Sequence, residues 1–157
     1  MIGKPDAEMM LRALECARLA FSADEVPVGA VIADKKGNVV ATGYNMQEHS
    51  RDATAHAEIL VIRKACKVLG RRRLNDMTLY VTLEPCPMCA GAILLSNIGR
   101  LVYGAADSRL GAVDSLFALL THPALNHDIE IRAGVREDEC RSILQQFFVN
   151  KRSWTGK

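Results

Sequence analysis

The 157-residue chain has no long uncharged run; the longest, Pro85 to Gly99, is too short and too interrupted to span a bilayer. Its first residues, with Lys4, Asp6 and Glu8, lack the apolar core of a signal peptide. There is little excess of one charge either. Twenty Lys+Arg against eighteen Asp+Glu leave +2, less basic than a dedicated nucleic-acid domain, so an anionic partner is permitted and not required. No Gly/Ser linker, low-complexity tract or internal repeat divides the chain. Five cysteines, an odd number, fit a reducing compartment that keeps them as thiols. Hydrophobic content of 49% and charged content of 24% are those of a globular domain and exclude disorder and fibrous repeats. A chain of this length buries roughly 70% of its unfolded surface, enough for a real core. The expectation is one cytoplasmic domain over residues 1–157 with no membrane contact.

The chain alternates between helical and extended patterns. Pro5-Asp6 opens a helix with an apolar stripe of Met10, Ala13, Leu14, Ala17 and Phe21. Val28 to Ala33 and Val39 to Asn45 are strands joined by turn residues Lys35-Lys36-Gly37-Asn38, hence a hairpin. Thr54 is placed as the N-cap of a helix through Leu69 that Gly70 ends. Thr78 to Leu83 is a buried strand, Pro87 to Ser96 a helix and Leu101 to Ala105 a strand. A short helix over Ser115 to Leu120, a strand over Ile129 to Ala133 and a helix from Glu137 to about Lys151 follow. Repeated strand–helix–strand units predict parallel pairing, and so a three-layer α/β/α sandwich around one mixed five-stranded sheet.

Two features stand at matching places, His56-Ala57-Glu58 opening one helix and Pro85-Cys86-Pro87-Met88-Cys89 opening the next. Helix starts at the carboxyl edge of a sheet are where α/β folds place ligands. Two thiolates two residues apart reach one ion, and an imidazole from the neighbouring helix adds a third ligand. Zinc suits that mixed set, and three protein ligands leave a fourth position for water, as in a catalytic site. Glu58 would take a proton from that water and pass it on, provided His56 lies in the first turn, since positions i and i+2 do not share a helix face. A lone Cys-x-x-Cys also serves redox chemistry or half of a zinc knuckle. The order of strands is wrong for a thioredoxin-like redox motif. A closed knuckle wants a fourth ligand, for which His49, His122, His127 and the lone cysteines show no paired spacing. Cys16, Cys66 and Cys140 are read as small core residues.

His56-Ala-Glu58 with Pro85-Cys86-x-x-Cys89 resembles the zinc-dependent deaminases of cytosine, adenine and guanine rings. The resemblance implies a cytidine-deaminase-like fold with one Zn2+ per subunit and hydrolytic deamination. Water adds to the amine-bearing ring carbon, Glu58 shuttles protons and ammonia leaves. Glu25-Val-Pro-Val-Gly-Ala30, Thr54-Ala-His-Ala-Glu58, Leu79-Tyr-Val-Thr-Leu-Glu-Pro-Cys86, Pro123-x-x-Asn126-His127 and Phe147-Phe148 together are similar to the bacterial tRNA-specific adenosine deaminase family, from about residue 7 to 152. A helix over Ser115 to Leu120 would make the final strand parallel, as in the polynucleotide-editing branch.

That resemblance implies adenosine-to-inosine conversion at the wobble position of a tRNA anticodon stem-loop, whose unpaired bases swing out readily. It places Asn45 and Val28 around the flipped nucleotide, Asp107 beside the RNA, and Asn126 and His127 on the anticodon loop. It also implies a homodimer; Ala90, Ile93 and Leu94 of the Cys86 helix serve either that interface or packing within the chain, which the sequence does not separate. The chain departs from the family at Ala106, where a basic residue is common, and at Asp52-Ala53-Thr54, which lacks a proline. Its tail, with Lys151, Arg152 and Lys157, is less basic than some. Arg71-Arg72-Arg73 is either a phosphate contact or a solvated face. Two alternatives stand beside this reading. One is a free-base or nucleoside deaminase, guanine above all, which Ile62 to Gly70 also resembles. The other is a non-enzymatic zinc module binding RNA or protein, which has no use for Glu58.

Overall fold

An almost continuous apolar run, Met77 to Leu83, forms the strand with water on neither face, and only its last residue is half-exposed. It is the third strand and the centre of the sheet in a computed structural model that describes residues 4–155. The elements are α1 (Lys4–Ser22), β1 (Gly29–Asp34), β2 (Val39–Tyr44), α2 (Gln47–Ser50), α3 (Ala57–Leu69), β3 (Met77–Leu83), α4 (Pro87–Leu95), β4 (Arg100–Ala105), β5 (Glu130–Arg132) and α5 (Glu137–Thr155). The five strands run in the order β2-β1-β3-β4-β5. β1 is antiparallel to β2 and to β3, whereas β4 is parallel to β3 and to β5. The sandwich expected from the sequence is the one observed.

Strand alternation divides the core in two. Ala30, Ile32, Leu79, Val81, Leu101 and Tyr103 face α3 and α4. Val31, Ala33, Tyr80, Val102 and Ala105 face α1 and α5. Of the α1 stripe, Met10, Ala13, Leu14 and Ala17 are buried, and Phe21 packs edge-on against Phe147 of α5, 5.7 Å between ring centres. The hairpin turn is closed by Asp34, whose Oδ1 accepts the N–H groups of Lys36 and Asn38. Gly70 ends α3 in the left-handed region at φ 65°. Cys16 and Cys140 are core residues, and burial pushes the Cys140 thiol up to about 12. Cys66 is half-buried. No helix among the described residues is long and apolar enough to cross a membrane.

Two expectations fail. Thr54 does not cap α3; its N–H and hydroxyl both donate to Asp52 Oδ1, and the cap position falls to His56. The helix over Ser115 to Leu120 does not form. Leu116 and Phe117 both donate to the Gly111 carbonyl and Leu119 to Ala112, while the Val113, Asp114 and Ser115 N–H groups turn to the Glu84 carboxylate. A helix here would send the Leu119 N–H to the Ser115 carbonyl; its commitment to Ala112 breaks the i→i−4 ladder. β5 is nonetheless parallel, reached by a crossover without a helix. The four-residue α2 was not anticipated.

Candidate active site

Both motifs open helices. His56 is the N-cap of α3 and Cys86 the N-cap of α4, each in extended conformation (φ −75°, ψ 152° and 173°). Neither cap side chain bonds its own helix, so both are released toward the space between the two helix starts. The duty of capping α3 passes to Asn45, whose Oδ1 accepts the Ala57 N–H at 2.8 Å. Pro87 at the first position of α4 needs no N–H partner, and Cys89 follows three residues after Cys86 on the same face.

His56 Nδ1 lies 3.6 Å from Cys86 Sγ and 3.5 Å from Cys89 Sγ, and the three ligand atoms all fall within 4.8 Å of one another. A tetrahedral zinc site with ordinary bond lengths of about 2.3 Å to sulfur and 2.05 Å to nitrogen sets N···S separations of about 3.6 Å. The residues therefore fit a divalent metal ion with no rearrangement. Their electrostatics are divided: without a cation the cysteine pair shares one proton, which Cys86 and burial push onto the Cys89 thiol. The Cys89 thiol and the His56 ring hold Cys86 down to about 4, and Cys86 in turn raises the affinity of the His56 ring for its proton. A low-pKa thiol is the form a metal takes up.

Glu58, the second residue of α3, is buried, and burial pushes its carboxyl above the usual carboxylate range. It lines a cleft of about 140 Å³ together with Val28, Asn45, His56, Cys86 and Asp107. Seven of the nine residues singled out in the sequence thus meet at one place: these six and Cys89. Asn126 and His127 do not line the cleft. Asn126 is exposed, and the His127 ring bonds the Ile98 carbonyl at 2.7 Å, beyond the far end of α4. Cys86 and Cys89 lie at the other end of that helix, its start. Ala90 and Ile93 are fully buried in the core, so of the candidate dimer residues only Leu94 retains exposure. Arg71 pairs with Asp76 at 2.7 Å and Arg72 bonds the Leu95 carbonyl, which leaves Arg73 as the exposed member of the run without such an anchor. Lys157 lies outside the described residues.

Two buried carboxylates were missed. Glu25 accepts the N–H groups of Glu48 and His49 and contacts His49 Nδ1 at 2.8 Å, fixing α2 and the chain that follows Asn45. Glu84, another cleft residue, precedes Pro85-Cys86. Its Oε2 accepts the N–H groups of Val113, Asp114 and Ser115 at 3.1, 2.9 and 3.0 Å. Its Oε1 accepts the Asp107 N–H at 3.1 Å and the Ser115 hydroxyl. Burial opposes ionisation of Glu84, but these bonds outweigh it and hold the carboxyl below its ordinary value. The available signal was an acidic residue closing an otherwise apolar strand.

A mixed five-stranded sheet with an imidazole and two thiols converging from adjacent helix starts, and a buried carboxylate beside them, defines the deaminase class. The model of the MafB19-like deaminase family matches residues 5–152. The chain is 46% identical over 147 residues to a tRNA-specific adenosine deaminase of Haemophilus influenzae, covering 94% of this chain and 85% of that one. A solved structure from a study of A-to-I editing by tRNA:A34 deaminases at the wobble position of transfer RNA superimposes with a TM-score of 0.83. It is 47% identical and covers 87% of this chain and 99% of the other. A guanine deaminase from Nitrosomonas europaea superimposes with a TM-score of 0.76 at 26% identity, over 90% and 83% of the two chains. The chain belongs to the tRNA-specific adenosine deaminase family.

Proposed function

We propose that this chain, as a single deaminase domain, converts adenosine to inosine at the wobble position of a tRNA anticodon. The observation that carries the chemistry is the buried Glu58 carboxylate facing the same cleft as His56 and Cys86. Those two and Cys89 would hold one zinc ion per subunit, which supplies a Lewis acid that makes water nucleophilic near neutral pH. Glu58 relays the protons of the attacking water to the substrate. The C–O bond forms first, with one water proton passed to the adjacent ring nitrogen; the second then reaches the amine, the C–N bond breaks and ammonia leaves. Its raised proton affinity suits a group that must both accept and return a proton.

The substrate nucleotide enters this cleft flipped out of its strand, which brings its amine-bearing carbon to Glu58. Val28 forms an apolar wall. Asn45, its carbonyl oxygen engaged by Ala57, is left to donate from its amide nitrogen to the base. Asp107 stands at the mouth. Asn126 and His127, outside the cleft, meet the RNA beyond the edited nucleotide. The family implies a homodimer and a cytoplasmic setting. Leu95, 73% exposed on α4, belongs to the face that a partner would cover.

The guanine deaminase likeness favours a second reading, in which the same site acts on a free base. Inosine formation by zinc-loaded protein on an anticodon stem-loop with adenosine at the wobble position, run beside free adenosine, guanine and cytidine, separates the two. Turnover of the stem-loop alone supports the tRNA reading. Turnover of guanine alone discards the RNA partner and keeps the chemistry.

A further inference from the structure

Neither metal binding nor proton transfer uses Glu84, yet this carboxylate is buried between the metal-bearing strand end and the segment 106–115. We propose that Glu84 is a positioning residue for substrate, its carboxylate gathering five donors of this segment and so setting the cleft wall that carries Asp107 and Leu110. The inference rests on the tRNA reading for the identity of the substrate.

The segment has no helix or strand of its own, so its shape depends on what it is bonded to. Five donors exceed the roughly four lone-pair sites of a carboxylate, so no acceptor capacity on Glu84 remains for a ligand. Above it, the Asp107 side chain closes a local turn by accepting the N–H groups of Arg109 and Leu110 at 3.0 and 3.3 Å. Ser108, Arg109 and Leu110 are exposed at the mouth, and the anchor that places them is underneath. Gly111 makes the arrangement possible. A Cβ there would lie 2.4 Å from Glu84 Cδ and 2.5 Å from the Asp107 carbonyl oxygen. Beside it, the Ala112 N–H donates to the Pro85 carbonyl at 2.8 Å, next to the ligand Cys86. Glu84 itself is held independently, its N–H donating to the Ala105 carbonyl. His56, Cys86 and Cys89 are placed by helix starts, whereas the facing wall takes most of its side-chain anchoring from Glu84, beside the Ala112–Pro85 bond, the Tyr103–Asp114 bond and the burial of Ala112 and Val113. Loss of that side chain therefore degrades substrate binding before it degrades the metal site.

Glu84→Gln keeps the shape and one acceptor oxygen but turns an amide NH2 toward backbone N–H groups. In the zinc-loaded enzyme the expected result is unchanged metal content, kcat within about threefold of wild type and KM for the stem-loop raised about tenfold or more. Amide exchange should quicken across 107–115 and stay unchanged at the starts of α3 and α4. Gly111→Ala pushes on the same contact from the loop side, without altering a residue next to Cys86, and should give the same KM rise and the same exchange pattern. Unchanged KM in both variants overturns the proposal. So does metal loss in Glu84→Gln with a silent Gly111→Ala, which would make Glu84 a support of the ligand Cys86. Failure of wild type to deaminate the stem-loop refutes the tRNA reading instead. Exchange then decides for the wall alone: quickening confined to 107–115 in both variants sustains it, and no change overturns it.

Discussion

Asp6 near the start of α1 is the hub of an ionic network at the sheet edge opposite the cleft, and its replacement by Asn has a calculable effect. Arg100 grips the carboxylate with two bonds of 2.7 and 2.6 Å, Arg132 adds one at 3.2 Å and the Tyr80 hydroxyl another at 3.2 Å. Asp6 is buried, whereas the two arginines are 22% and 32% exposed. Removing one partner of a buried pair costs about 3–5 kcal/mol. Partial exposure of the arginines screens that figure, and Asn keeps one acceptor, so we expect about 2 kcal/mol. For a chain of this size that is a fall of about 4–8 °C in Tm. The bond from Arg100 holds the Asp6 carboxyl below its ordinary value. A lowered carboxylate contributes stability that is fully present above its unfolded pKa of about 3.9 and lost as pH falls through the lower folded value. Urea midpoints of wild type and Asp6→Asn should therefore differ at pH 7 and converge as the pH is taken below 4. Acid effects from the other carboxylates cancel in the difference. A gap that persists unchanged at pH 3 would refute the ionic origin, and a gap near zero at pH 7 would refute the network's importance.

Cys89→Ala should abolish stoichiometric zinc binding, measured by elemental analysis, and with it turnover, since two ligands seldom retain an ion that three hold. Asn45→Ala removes the acceptor for the Ala57 N–H and should lower stability by about 1 kcal/mol in denaturant titration, with a larger KM for the stem-loop. Arg71→Ala with Arg72→Ala should leave both KM and the salt dependence of KM unchanged. Arg71 is held by Asp76 and Arg72 by a helix end, so neither is offered to phosphate. A flatter salt slope in that variant would contradict the assignment.

Spacing made the ligands legible. Cys86 and Cys89 lie three residues apart at a helix start, and His56 with Glu58 opens the neighbouring helix, so local pattern alone aligned them on one sheet edge. The sheet was legible too, because β3 is apolar but for Thr78 and Thr82, and β1 and β2 flank turn residues. What escaped was set by partners distant in sequence. Glu84 reaches across 23 to 31 positions to capture N–H groups of 107–115, and the Leu119 N–H goes to Ala112 in place of the helical partner that the pattern of Ser115 to Leu120 suggests. Thr54 has the chemistry of a cap, but Asp52 two residues earlier engages it first, and the cap falls to the histidine that the site needs there. Glu25 holds α2 in the same non-local way. Ala90 and Ile93 had the right apolar character for an interface, yet helical phase turns them into the core. The remote position of Asn126 and His127 depends on the path of a crossover with no regular structure, which no periodicity announces.

In the proposed reaction Glu58 carries the protons, while His56, Cys86 and Cys89 would hold a metal ion without it. The direct measurement is Glu58→Ala, assayed for zinc content, folded state and inosine formation on the stem-loop. The variant should keep about one zinc per subunit and an unchanged fold, with turnover reduced at least about 10²–10⁴-fold. Turnover near that of wild type, or loss of zinc and fold together with activity, would contradict this assignment.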